Sequence, residues 1–458
     1  MSKSENRDFN AFYGIEYLNN HFATTTTVDD CTSTFIFKSA LPQSILTLYQ
    51  GASSFTILGA YGTGKTLLRC EYFKTLNADH YLKVLILNKE ITDYIERFIA
   101  SKKWNSQYCA NHSCLKDWSG DEFAQLMLSI LVTKFIENYS QTEIKFIDIP
   151  IEKKIHLVTI ICYYYNGDSI SQLENFVNGF LGKFVNTFFG TTYTASSYKA
   201  SKAHVQISER NKPLLTHLQN DLNEFGTLNK NVGKLHLLLA IIEGEGFEYE
   251  SIQKTMLGHV IRDLTDFSSF ITKHMEKIPV FIIDGIDENQ YLNPNNEVNK
   301  ISFESFYRSS VCEKILSLTM TNYFYLSLFY PKIDGINILD AIVRPDKFPT
   351  YTLTWNSKSL YNYADYVLQK LNKNASRTRC KAFTDFKTLV NYEDQRIAEI
   401  IDEIQTPREL HMFMMELITQ MNHDASNVER LFPATEKNVR NAFEKSLGLY
   451  YKYDEANG

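Results

Sequence analysis

Gly59-Ala60-Tyr61-Gly62-Thr63-Gly64-Lys65-Thr66 places three glycines ahead of a lysine and a hydroxyl. The run fits G-x-x-x-x-G-K-[ST], a spacing in which each part has a physical task. Glycines let successive backbone N–H groups converge on phosphate oxygens without interference from Cβ atoms. Lys65 is expected to reach the β- and γ-phosphates of a nucleotide, and the Thr66 hydroxyl to coordinate Mg²⁺. Gly59 through Leu67 is therefore the expected nucleotide-contacting stretch, with a helix dipole directed at the same anion.

Such a loop needs a carboxylate on a neighbouring strand to hold the magnesium shell. The stretch Val280-Phe281-Ile282-Ile283-Asp284-Gly285-Ile286-Asp287-Glu288 supplies one, since Asp284 emerges directly from an apolar run. Asp287 and Glu288 follow within one turn. Either could polarise an attacking water, the positioning role that phosphoryl transfer to water requires; Glu288 is preferred and Asp287 competes closely.

The acidic stretch resembles the hydrophobic–Asp–Gly–hydrophobic–Asp–Glu form of Walker B in STAND NTPases, including NACHT-type signalling ATPases. These are related to AAA+ and origin-recognition-type ATPases. The resemblance rests on Asp284, Gly285, Ile286, Asp287 and Glu288 with the glycine loop, and covers roughly residues 50–90 and 276–430. It implies a parallel-sheet P-loop core, ATP and Mg²⁺ as ligands, and a helical lid that returns a basic residue to the nucleotide. Thr406-Pro407-Arg408-Glu409-Leu410 opens such a helix, making Arg408 the candidate sensor and Pro407 a lid residue. The residues alone also permit a plainer reading: Thr406 as N-cap, Pro407 at N1, and Arg408 solvated. The pattern departs from the family at Tyr330-Pro331-Lys332, which carries no clean strand-end sensor. Arg308 and Arg344 compete for the role of arginine finger.

Elements able to position these groups can be read from periodicity. Strands are expected at 53–59, 83–88, in the apolar part of the 278–288 run, at 322–331 and at 349–355, and a helix from Thr66. Between Asn88 and Lys277 the apolar spacing is helical throughout, and from Ser357 it is helical again. The expected organisation is a lead-in over 1–50, core segments at 51–90 and 277–356, a helical insertion at 91–276, a helical lid at 357–430, and a C-terminal helix and tail at 431–458. The fold class is thus α/β: a P-loop NTPase core with flanking helices, a large helical insertion and a C-terminal lid.

The 458-residue chain is 44% apolar and 14% aromatic, ample for a packed core. Its formal charge of −6 argues against a surface coated for duplex DNA. Seven scattered cysteines suit reduced thiols, and the polar N-terminal stretch lacks a signal-peptide core, so a cytoplasmic protein is expected. Lys183, two asparagines and many hydroxyls interrupt the aromatic stretch at 176–198, so no membrane span is expected there. Cys109, His112 and Cys114 form only half of a zinc set. Thr191 to Pro213 reads as a loop, and the basic stretches Lys199–Lys212 and Lys370–Lys381 read as solvated faces rather than nucleic-acid contacts.

The expected function is an ATP-binding and ATP-hydrolysing conformational switch. Its expected output is assembly with itself or with a protein effector, and the resemblance makes signalling or antiviral defence the natural setting. Two alternatives remain at this level. One is an AAA+ ATPase that loads or remodels nucleic-acid complexes, and the other a scaffold that binds nucleotide without turnover.

Overall fold

A computed structural model of the chain describes residues 45, 51–101, 120–138, 149, 151–167, 169–181, 260–286, 289, 319, 322–332, 348–374, 383, 385–424 and 433–448. Five strands form one parallel sheet: β1 (Phe55–Gly59), β2 (Tyr81–Ile86), β3 (Ile278–Ile283), β4 (Tyr325–Pro331) and β5 (Thr350–Leu353), in the order β2-β3-β4-β1-β5. Their apolar runs have a direct cause, because a parallel sheet covered on both faces needs apolar side chains on both. All five residues of β1 are buried, and so are the last five of β3 and the last six of β4.

Strand order divides the flanking helices between the two faces. The connection leaving β1 runs past β4 and β3 to β2, whereas every later connection runs the opposite way. Right-handed crossovers therefore place α1 (Lys65–Thr75) on one face and the helices that precede β3 on the other. On the first face Phe55, Ile57, Leu68, Tyr72, Val280 and Phe329 form a continuous core. The Phe55 ring meets Tyr72 and Phe329 edge-on at 5.0 and 5.9 Å. On the other face α3 (Gly120–Asn138) lies against β2 and α6 (Val260–Met275) against β3.

Between β2 and β3 the described elements are all helical. They comprise α2 (Asn88–Ser101), α3, α4 (Ile151–Tyr164), α5 (Ile170–Leu181) and α6. Phe135 of α3 anchors them, its ring edge-on to Phe176 of α5 and to Phe267 and Phe270 of α6 at 5.3 to 5.9 Å. The helix expected in the first part of the 176–198 stretch is present to Leu181. Among the described residues no helix is long and apolar enough to cross a membrane.

After β5 the chain builds a second core from α7 (Ser357–Asn374), α8 (Phe386–Val390), α9 (Gln395–Ile401), α10 (Pro407–Asp424) and α11 (Glu436–Ser446). Trp355, between β5 and α7, packs against both the sheet core and this helical core. β2 begins at Tyr81, two residues before the expected start, because its first residues pair with the start of β3, Tyr81 opposite Ile278.

Candidate functional site

Parallel strands bring the loops that follow β1 and β3 to one edge of the sheet. In an open parallel sheet, the crevice where connections diverge to opposite faces is where ligands bind. The glycine loop leaves β1 at this point. Gly62 and Gly64 take φ values of +76° and +92°, a region that L side chains enter at a cost of about 1–2 kcal/mol. Gly64 is the N-cap of α1 and supplies no side-chain cap to the first N–H groups, which point out of the helix start.

Lys65 is 8% exposed, and its Nζ donates to Gly59 O at 2.7 Å and Ala60 O at 3.2 Å. The ammonium thus lies across the loop, 5.5 Å from the centre of the Tyr61 ring. Thr63 Oγ1 donates to Ala60 O at 2.8 Å and tightens the turn. Tyr61 is 42% exposed, standing outward from the loop.

The acidic partner sits where the spacing places it. Thr66 Oγ1 donates to Asp284 Oδ2 at 3.2 Å, across 218 residues of sequence. Asp284 is buried, and its Oδ1 accepts the Gly285 N–H at 2.9 Å. Oδ2 has a second neighbour that the sequence reading did not single out: Arg69 Nε at 3.2 Å, with a side chain only 1% exposed. Thr66 and Arg69 are three residues apart on α1 and share one side of the helix, which is how both reach the same oxygen.

A further polar contact joins the ends of β2 and β3. Asn289 is fully buried, and its Nδ2 donates to Asn88 Oδ1 at 2.9 Å and Thr92 Oγ1 at 2.8 Å. It ties the segment just beyond the acidic pair to the first turn of α2. Asp287 and Glu288 themselves lie outside the described residues, as do Arg308, Arg344, the Cys109–His112–Cys114 group and the Lys199–Lys212 stretch.

The helical segment after β5 closes on the glycine loop through two backbone acceptors. Arg408 N–H donates to Gly62 O at 3.3 Å, and Trp355 Nε1 to Thr63 O at 2.9 Å. The approach is close enough that a methyl group on Gly62 would lie 2.6 Å from Arg408 Cβ. The capping reading of this helix start holds. Thr406 Oγ1 accepts the Glu409 N–H at 3.2 Å while the Glu409 carboxylate accepts the Thr406 N–H at 3.0 Å, a reciprocal cap, with Pro407 at the first helical position. Yet Arg408 is packed against the glycine loop rather than merely solvated.

The residues present suit an anion with a divalent cation. Gly64 to Leu67 offer helix-start N–H donors, Lys65 a buried cation, and Thr66 with Asp284 a hydroxyl–carboxylate pair of hard oxygen ligands. A Cβ built on Gly64 would meet nothing within 4 Å, so the loop is open on that side. Arg69 and Asn289 escaped the sequence reading. One isolated arginine in TLLRCEYF reads as an ordinary helix residue, and the Asn88 partner lies 201 positions from Asn289. No protein-family model, curated protein or solved structure matches the chain.

Proposed function

We propose that the chain is a P-loop ATPase of the STAND/AAA+ kind, binding ATP with Mg²⁺ and switching conformation with the nucleotide. The observation that carries the reading is the 3.2 Å contact between Thr66 Oγ1 and Asp284 Oδ2, beside a glycine turn that opens an uncapped helix. That two motif halves separated by 218 residues meet supports a magnesium-nucleotide site.

Bound ATP·Mg²⁺ would supply a transferable phosphoryl group; the remaining tasks fall to the chain. The loop N–H groups from Gly59 to Leu67 hold the phosphates, and Lys65 leaves the Gly59 and Ala60 carbonyls to neutralise the β- and γ-oxygens. Thr66 and Asp284 orient the cation's ligand shell. Glu288, or Asp287 in its place, holds the proton of the attacking water.

The switch reading rests on the contacts from Arg408 and Trp355 to Gly62 O and Thr63 O. A loop that rearranges around phosphate moves two of the acceptors that hold the C-terminal helices, so nucleotide state and lid position are energetically linked. The output we assign is assembly with further copies of the chain or with an effector protein, in signalling or antiviral defence, within the cytoplasm.

The test is binding of a fluorescent ATP analogue, together with mass measurement in ADP, ATP and a non-hydrolysable analogue. Lys65→Ala should abolish binding. Glu288→Gln should retain binding while phosphate release falls by 10²-fold or more, in the range ascribed to a general base. An unchanged mass and partner set in all three nucleotide states would remove the switch.

A further inference from the structure

Arg69 has no task in the nucleotide chemistry described above, yet it heads the largest fully buried side chains of the described residues. Burying a guanidinium is costly unless a carboxylate answers it, and the answer here is Asp284 Oδ2 at 3.2 Å. That oxygen also accepts the Thr66 hydroxyl, the other residue of the hydroxyl–carboxylate pair. A carboxylate oxygen shared in this way is already electrostatically committed before any ligand arrives.

Resting on the nucleotide reading, we infer that Arg69 is a built-in counter-ion that makes divalent-metal binding depend on nucleotide. A bare divalent cation approaching Asp284 Oδ2 meets a fixed positive charge on the same oxygen. The two charges repel strongly in a buried setting of low effective dielectric. A cation that arrives with a polyphosphate brings its own negative charge, and the repulsion is offset. Arg69 also orients Asp284, so it acts as a positioning residue that works through the carboxylate. The charge is the operative property, because no contact from Arg69 to a ligand is needed for the effect.

Metal binding to the purified full chain tests this, using Mn²⁺ titration followed by electron paramagnetic resonance, with and without ADP. The wild-type chain should bind Mn²⁺ alone at least about tenfold more weakly than with ADP. Arg69→Gln should raise affinity for Mn²⁺ alone about tenfold or more and so narrow the gap. Arg69→Lys retains the charge and should keep the wild-type gap, which also covers the case in which Arg69→Gln does not fold. Unchanged Mn²⁺ affinity in Arg69→Gln, or a narrowed gap in Arg69→Lys, overturns the proposal. Binding of the fluorescent ATP analogue to the wild-type chain is measured alongside. Its absence would defeat the nucleotide reading, whereas nucleotide binding with unaltered metal discrimination in Arg69→Gln would defeat only the role given to Arg69.

Discussion

Asp263 of α6 shows how one buried carboxyl writes a pH dependence into the helical interval. It is 3% exposed, and Tyr164 of α4 donates to its Oδ2 at 3.2 Å. Burial pushes its pKa from an ordinary 3.8 up to about 6, with the charges of His156 and Arg262 and the Tyr164 hydroxyl pulling it back and Asp266 adding to the rise. The folded state therefore holds this proton more tightly than the unfolded chain. Its stabilising effect is complete below about pH 4 and is lost as pH rises through about 6, a swing of roughly 3 kcal/mol by linkage. Asp263→Asn should flatten the stability profile between those limits and raise stability at pH 7.5, as thermal melts at pH 4.5 and 7.5 would report. At this scale the sequence is most informative where a residue's partner is implied by its own motif. Lys65, Thr66 and Asp284 could be named in advance because each chemistry is spelled out locally. Asp263 could not, since an aspartate on an amphipathic helix looks solvated until the opposing helix is known.

Among elements, the start of α10 carries the coupling between loop and helical core. Thr406 and Glu409 cap each other there, and the same turn presents Arg408 N–H to Gly62 O. A comparable reciprocal cap at Thr435 and Asn438 opens α11. Replacing either threonine with alanine should cost about 1 kcal/mol of stability. Only Thr406→Ala should also alter affinity for the ATP analogue, because only that cap holds a group bonded to the loop. Equal nucleotide affinities in the two variants, measured by fluorescence titration, would separate the cap from the site. Helix and strand identities were legible from apolar spacing, and the described strands fall within two or three residues of the expected runs. Strand order was not legible: short β-rich runs look alike, and nothing in β1 says that its neighbours are β4 and β5. The α/β sheet thus had its strands read from the sequence and its arrangement read from space.

For the whole molecule, the consequential fact is where β1 finds its partners. Its register runs Phe55 opposite Ser327 on one side and Thr56 opposite Thr350 on the other. Even the bond beside it, from Leu326 N to Ser54 Oγ, spans 272 residues. During synthesis, then, the first of the described strands to leave the ribosome waits for partners that emerge last. At about 5–20 residues per second, the wait is on the order of tens of seconds. Throughout that interval a largely apolar strand and its glycine turn stand without a sheet, a natural substrate for a chaperone. Ribosome-bound chains halted near residue 320 should be cleaved readily by protease around β1, while chains extended well past β5 should resist. β1 emerges well before both of the strands it pairs with, so the glycine loop is made early and completed late.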